Sequence, residues 1–230
     1  MKASHLLVFF IFLMGMCDQV LALRLKLPHG PKARLHIYWL ILSWLWLATI
    51  AAVCITGPRA LWYARLSPEE GKWVPGGLAT GLIAVISLAA MLAPVAFAAR
   101  KPSAAFKLSL AVDKLRFALP ANAREHFWWA LLSITAGICE ECLFRSFLFQ
   151  YFRSAPWQLG FGTAMAIACV LFGLGHLYQG VVAATGTGVL AFLFFLLFLG
   201  SGSLLIPILL HALADLRVLL FLRLADAPPK

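Results

Sequence analysis

Apolar residues in this chain run on in long blocks, separated by short stretches that hold nearly all of the charge. Seven such blocks stand out: Leu6 to Leu23, Ile37 to Gly57, Leu78 to Ala99, Phe127 to Phe149, Gly160 to Leu177, Val181 to Leu199 and Leu204 to Leu222. A run of about 20 apolar residues is what a helix needs to cross a bilayer. The pattern therefore predicts an all-α protein, a polytopic transmembrane helix bundle of about seven spans. Composition agrees, with 63% of the 230 residues hydrophobic, 12% charged and a mean hydropathy of +0.91. No stretch is left for a soluble domain.

The formal charge of +10 would suggest an acidic partner in a soluble protein, but here the positions of the charges decide. One set of loops carries Arg24, Lys26, Lys32, Arg34, Arg100, Lys101, Lys107, Lys114, Arg116, Arg124, Arg223 and Lys230; the other set carries Lys2, Arg59, Arg65, Lys72 and Arg153. The positive-inside rule makes the richer side cytoplasmic, with an outside N-terminus and a cytoplasmic C-terminus. The lipid bilayer accounts for the charge, and no nucleic acid is needed as a partner. Five cysteines, Cys17, Cys54, Cys139, Cys142 and Cys169, all fall in spans, which fits neither a disulfide framework nor a zinc cluster. The first block is read as a retained helix with a basic stop at Arg24 and Lys26; the alternative is a cleaved signal ending near Val20-Leu21-Ala22. Trp39, Trp44, Trp46, Trp62 and Trp73 read as interfacial anchors and lipid contacts. Glu69 and Glu70 follow Ser67-Pro68 and read as a solvated helix start. The loop from Arg100 to Glu125 mixes Phe106, Leu108 and Leu110 with Lys107, Lys114 and Arg116, the pattern of a short helix lying on the membrane surface.

Against this background the fourth span is anomalous, because Cys139-Glu140-Glu141-Cys142-Leu143-Phe144-Arg145 places three charges where lipid-compatible side chains belong. Each uncompensated charge at mid-span costs roughly 2.5–3.5 kcal/mol. At about 100° per residue Glu141 and Arg145 lie on one face, whereas Glu140 is rotated from Arg145 by roughly 140°. Arg145 should pair with Glu141, leaving Glu140 without a local cation and suited to act as a general base. The fifth span ends in Phe172-Gly-Leu-Gly-His176, with Phe172 and His176 on one face and glycines that permit close backbone approach. Thr185-Gly-Thr-Gly188 in the sixth span suits tight packing. In the seventh, His211 and Asp215 are again i, i+4. Intramembrane ionisable groups on three helices point to one polar cavity inside the bundle.

The motifs Glu140-Glu141-x-x-x-Arg145, Phe172-x-x-x-His176 and His211-x-x-x-Asp215, in this order on successive apolar helices, resemble the CPBP family of CAAX proteases and bacteriocin-processing enzymes, also called the Abi family. The resemblance covers roughly Glu125 to Leu222. It divides the chain into N-terminal helices and a loop (1–125), a catalytic helix bundle (126–222) and a short tail (223–230). It implies an intramembrane endopeptidase, of glutamate type or a metalloprotease, acting on a membrane-associated or lipid-modified protein or peptide, in a bacterial cell membrane. On this chain it implies that Glu140 and His176 activate water, that His211 and Asp215 stabilise the oxyanion or complete a metal site, and that Glu141 with Arg145 supports the geometry. Eukaryotic members carry Asn where Asp215 stands, and an ionised carboxylate cannot donate to an oxyanion. Asp215 must then be protonated, orient His211, or bind a cation.

Glu140, His176, His211 and Asp215 are also the residues that could ligate zinc, with water completing the set. The HExxH spacing is absent, and metal-independent water activation is the preferred reading. Two rival functions share the same polar residues: a catalytically silent immunity or scaffold protein, and a proton-coupled transporter, although no inverted pair of broken helices is visible. Straight helices leave one difficulty. Glu140 would lie about 14 Å from the outer ends of the spans, His211 about 10 Å and His176 about 24 Å. Tilt, or a turn at Tyr178-Gln179-Gly180 submerged in the membrane, would have to close the gap.

Overall fold

The computed structural model describes residues 3–25, 31–63 and 66–225. Lys2, Lys26, Arg65 and most of the C-terminal tail, Asp226 to Lys230, lie outside the described residues. All seven predicted spans are helices. They are α1 (Ala3–Leu25), α2 (Pro31–Thr56), then two short helices α3 (Pro58–Trp62) and α4 (Pro68–Gly71), and α5 (Gly77–Arg100). There follow α6 (Pro102–Leu115), α7 (Ala123–Glu140), a π-helical stretch over Glu141–Leu148, and α8 (Phe149–Arg153), which completes the same rod. The chain ends with α9 (Phe161–Leu174), α10 (Val181–Ser201), α11 (Leu205–Leu216) and α12 (Val218–Ala225). Five stretches, Arg34–Thr56, Gly77–Arg100, Ala123–Arg153, Val181–Ser201 and Leu205–Leu224, are long and apolar enough to cross a membrane, while Ala3–Gly15 and Phe161–Leu174 are shorter apolar helices.

Sequence chemistry sets the helix ends. Proline opens α3, α4 and α6, where a missing N–H costs nothing. Asn122 caps α7 by accepting from the Glu125 N–H at 3.0 Å. Gly57 and Gly180, at φ 81° and 100°, make reversals that a side chain would strain. The loop from Arg100 to Glu125 does hold a helix, α6, packed against α5 and α12.

The rod of α7 and its π-helical continuation is the central element, packed by α2, α9 and α11 with α3 against its π stretch. Its core includes Leu143, Phe147 and Leu148 with Leu45, Phe195 and Leu204. Two polar clamps hold it. Glu125 is fully buried and receives Arg34 Nε at 2.9 Å, Arg34 Nη2 at 3.2 Å and the Ala121 N–H at 2.8 Å. Further along, Ser146 and Gln150 both donate to the Ala60 carbonyl, at 3.2 and 2.6 Å.

Two sequence-based expectations change. Trp44 and Trp62 are half-buried and packed against the main core rather than serving only as lipid contacts, because α2 and α3, which carry them, pack against α7 and its π-helical continuation. Trp39 and Trp73 are exposed as expected. Glu70 is not merely solvated: besides forming a capping box with Ser67, its carboxylate pairs with Arg153 at the end of α8. Burial works against the charged form, but the Ser67 hydrogen bonds and the Arg153 guanidinium outweigh it and hold the Glu70 carboxyl below its ordinary range.

Candidate active site

The site forms where α7 passes into its π-helical stretch opposite α11. In a straight α-helix adjacent residues diverge by about 100°, which would send Glu140 and Glu141 to different neighbours. Here the hydrogen-bond register widens at Glu141, the i→i+5 pattern typical of a single functional bulge. Both carboxylates reach the same imidazole. Glu141 Oε1 lies 2.7 Å from His211 Nδ1, and Glu140 Oε2 lies 3.8 Å from His211 Nε2. Arg145 pairs with Glu141 as expected, and the imidazole that Glu140 faces comes from another helix, α11.

Glycine sets the approach of the two helices. A Cβ added at Gly137, one turn before Glu140 and Glu141, would stand 3.0 Å from the Ala212 nitrogen and 3.0 Å from the Ile208 carbonyl oxygen. Only a glycine lets α7 sit this close to the turn of α11 that carries His211. Gly173 plays the same part between α9 and α10, since its added Cβ would stand 3.0 Å from the Ala184 carbonyl oxygen and 3.4 Å from the Gly188 Cα. That bears out the packing role read into Gly173 and Gly188; Gly186 faces open space.

Glu141 and Arg145 are buried side by side, 0% and 1% exposed, with Arg145 Nε 3.1 Å from Glu141 Oε2. The N–H is not aimed at that oxygen, so the pair is an electrostatic contact rather than a hydrogen bond, and the guanidinium nitrogens have no hydrogen-bond partner among the described residues. Aromatic faces supply the rest: Arg145 Cζ lies 4.2 Å from the Phe172 ring centre and 5.9 Å from that of Phe194.

His211 carries the opposite carboxylate as well, its Nε2 being 3.8 Å from Asp215 Oδ2. Glu140 and Asp215 keep 18% and 39% of their side-chain surface exposed. His176 joins across the Phe172 ring, whose centre is 4.8 Å from the His176 ring and 5.8 Å from that of His211. Its Nδ1 donates to the Phe172 carbonyl at 2.8 Å, so Nε2 is the nitrogen with a free lone pair. Despite the depths that straight helices give, His176 and His211 both lie against the Phe172 ring, and α9 ends two residues before His176, at Leu174. A 3-10 turn over Leu177–Gln179 follows at once.

The four residues expected as zinc ligands do not fit one ion as placed. Among the described residues no group of three His, Cys, Asp or Glu side chains is gathered for a metal, and the Nδ1 atoms of both histidines are already engaged. Cys139, Cys142 and Cys169 are buried free thiols. Two surface cavities lie elsewhere, one of about 340 Å³ bordered by Glu69, Glu70, Trp73, Phe161 and Gly162, the other an apolar groove of about 410 Å³ between α1 and α2.

Sequence reasoning missed Arg34, Gly137, Trp129 and Arg217. Trp129 Nε1 donates to the Asp215 carbonyl at 3.3 Å, and Arg217 Nη1 donates to the Met91 carbonyl at 3.0 Å. Arg217 was legible as a charge inside an apolar run; the others give no signal without knowing which helices touch.

Comparison with known proteins gives one family. Residues 122–217 match the family model described as type II CAAX prenyl endopeptidase Rce1-like. No curated protein and no solved structure matches the chain.

Proposed function

We propose, on the match of residues 122–217 to the Rce1-like family of type II CAAX prenyl endopeptidases, that the chain hydrolyses a peptide bond in a membrane-associated or lipid-modified protein or peptide with Glu140 as the general base. The observation that carries this reading is the seating of His211 among three carboxylates, with Glu141 on Nδ1 and with Glu140 and Asp215 each 3.8 Å from Nε2.

Glu141 accepts the Nδ1 proton and so fixes the ring. Two further anions facing Nε2 favour a proton there too, and at 3.8 Å neither takes it in a hydrogen bond. His211 is then an imidazolium with an N–H left for the substrate carbonyl oxygen, the position where an oxyanion develops. Asp215 needs no proton of its own in this scheme: it orients His211, one of the three roles open to it from the sequence. Glu140, partly exposed and beside the imidazolium, takes a proton from water as the water oxygen bonds to the carbonyl carbon. The Nε2 lone pair of His176 helps to hold that water. When the C–N bond breaks, Glu140 returns the proton to the leaving amine.

We take water activation to be metal-independent, since the donor set does not gather round one ion; prolonged chelation should leave the rate unchanged. The test is cleavage of a fluorogenic prenylated peptide ending in Cys-aliphatic-aliphatic-X by the detergent-purified protein. Glu140→Gln should lower the rate by a factor of about 10² to 10⁴. A wild type that cleaves the probe no faster than the Glu140→Gln variant would overturn the assignment.

A further inference from the structure

The indole of Trp129 reaches from α7 to the last turn of α11, where its Nε1–H donates to the Asp215 carbonyl at 3.3 Å. The last four carbonyls of a helix find no i+4 amide within it, and α11 ends at Leu216, just past Asp215. This carbonyl is therefore open to a donor from a neighbouring helix. A tryptophan that only fills space needs no such contact: the indole N–H of Trp44 is buried without a hydrogen-bond partner among the described residues.

The ring that carries the donor is itself held. It meets Tyr38 of α2 edge to face, with ring centres 5.8 Å apart. Tyr38 is buried, and its hydroxyl donates to the Ala118 carbonyl at 2.7 Å. Trp129 also packs against the buried pair Leu119 and Leu222. On the far side of the hydrogen bond, the Asp215 carboxylate lies 3.8 Å from His211 Nε2, and His211 stands one turn back on α11. The two helices are thus matched at three levels, Trp129 with Asp215, Gly137 with Ile208 and Ala212, and Glu141 with His211. Gly137 permits close approach but does not resist sliding. A hydrogen bond from a seated ring to backbone does, because it weakens steeply as its distance and angle depart from the preferred values.

We propose that Trp129 is a positioning residue: its indole N–H, by holding the Asp215 carbonyl, sets the register of α11 against α7 and so the place of Asp215 and His211 beside Glu140. The role rests on the peptidase reading, whereas the hydrogen bond does not. Misplacing a reacting group by about 1 Å through a change far from the chemistry can cost a factor of about 10² in rate. Loss of this one N–H should accordingly show in turnover more than in stability.

The test separates the donor from the ring. Trp129→Phe keeps an aromatic body and loses the N–H, whereas Trp129→His keeps a five-membered ring with a nitrogen donor at the equivalent position and loses the benzene ring. Cleavage of the prenylated probe is measured below the melting temperature of every variant. Trp129→Phe should lower kcat about tenfold with KM within about twofold, and should melt close to the wild type. Trp129→His should melt lower than Trp129→Phe yet turn over faster. Trp128→Phe, in the same turn of α7 but with its ring on Trp39 and Phe127, should keep the wild-type kcat. A Trp129→Phe variant with wild-type kcat, or a Trp129→His variant slower than it, would overturn the proposal and leave Trp129 as packing. A wild type that cleaves nothing would overturn the peptidase reading, and the positioning role with it.

Discussion

Glu140 and Glu141 are neighbours in sequence and differ in what surrounds them. Glu141 is fully buried between the Arg145 guanidinium and His211 Nδ1, whereas Glu140 keeps part of its side chain accessible and, among the described residues, pairs with no cation closer than His211 Nε2 at 3.8 Å. Removing one partner of a buried pair leaves an uncompensated charge and costs about 3–5 kcal/mol. Glu141→Gln should therefore lower the melting temperature in detergent steeply. Glu140→Gln, which keeps the shape and removes a charge with little pairing, should change stability by less than about 1 kcal/mol. Thermal scans of the two variants side by side separate the supporting carboxylate from the reacting one; equal losses would mean that both are structural. The i, i+4 pairs Glu141/Arg145, His211/Asp215 and Phe172/His176 were legible in the sequence because they depend only on helical rise. That Glu141 has a second partner on another helix was not, since contact across 70 residues leaves no local trace.

At the scale of elements, the site depends on how closely α7 can approach α11. Gly137 has no room for a methyl group between two backbone atoms 3.0 Å away, and backbone cannot swing aside as a side chain does. Gly137→Ala should cost about 1–3 kcal/mol by overpacking and should depress activity by moving His211 away from the carboxylates. Gly186→Ala, on the open side of α10, should do neither. Melting and cleavage assays on this pair check the claim, and a harmless Gly137→Ala would contradict it. Hydropathy displayed all seven apolar helices, five of them long enough to cross a membrane, because length and apolarity are what a bilayer demands. It could not display the π turn: the register change alters which carbonyl each N–H meets, and the residues of Glu141–Leu148 remain compatible with an ordinary helix.

For the molecule as a whole, the site draws on three helix segments, α7 with its π-helical continuation, α9 and α11, and polar contacts away from it tie the bundle together. One clamp can be read by pH. The Glu70 carboxyl is held below its ordinary 4.5 in the folded protein, burial being outweighed by Ser67 and Arg153. Its contribution is present above the unfolded-state value and is lost as pH falls through the lower folded value. The melting temperature of Glu70→Gln should thus trail the wild type at neutral pH, by what an ion pair of about 1 kcal/mol gives, and converge with it in acid; a gap that widens in acid would contradict the pairing.

The central claim is that the polar cluster exists to cut a peptide bond. Terminus-resolved mass spectrometry of membranes from cells making the wild type or the Glu140→Gln variant at matched levels addresses it directly. The account predicts new protein C-termini that appear with the wild type and vanish with the variant. Identical sets of termini, with a prenylated substrate demonstrably present in both membranes, would contradict it.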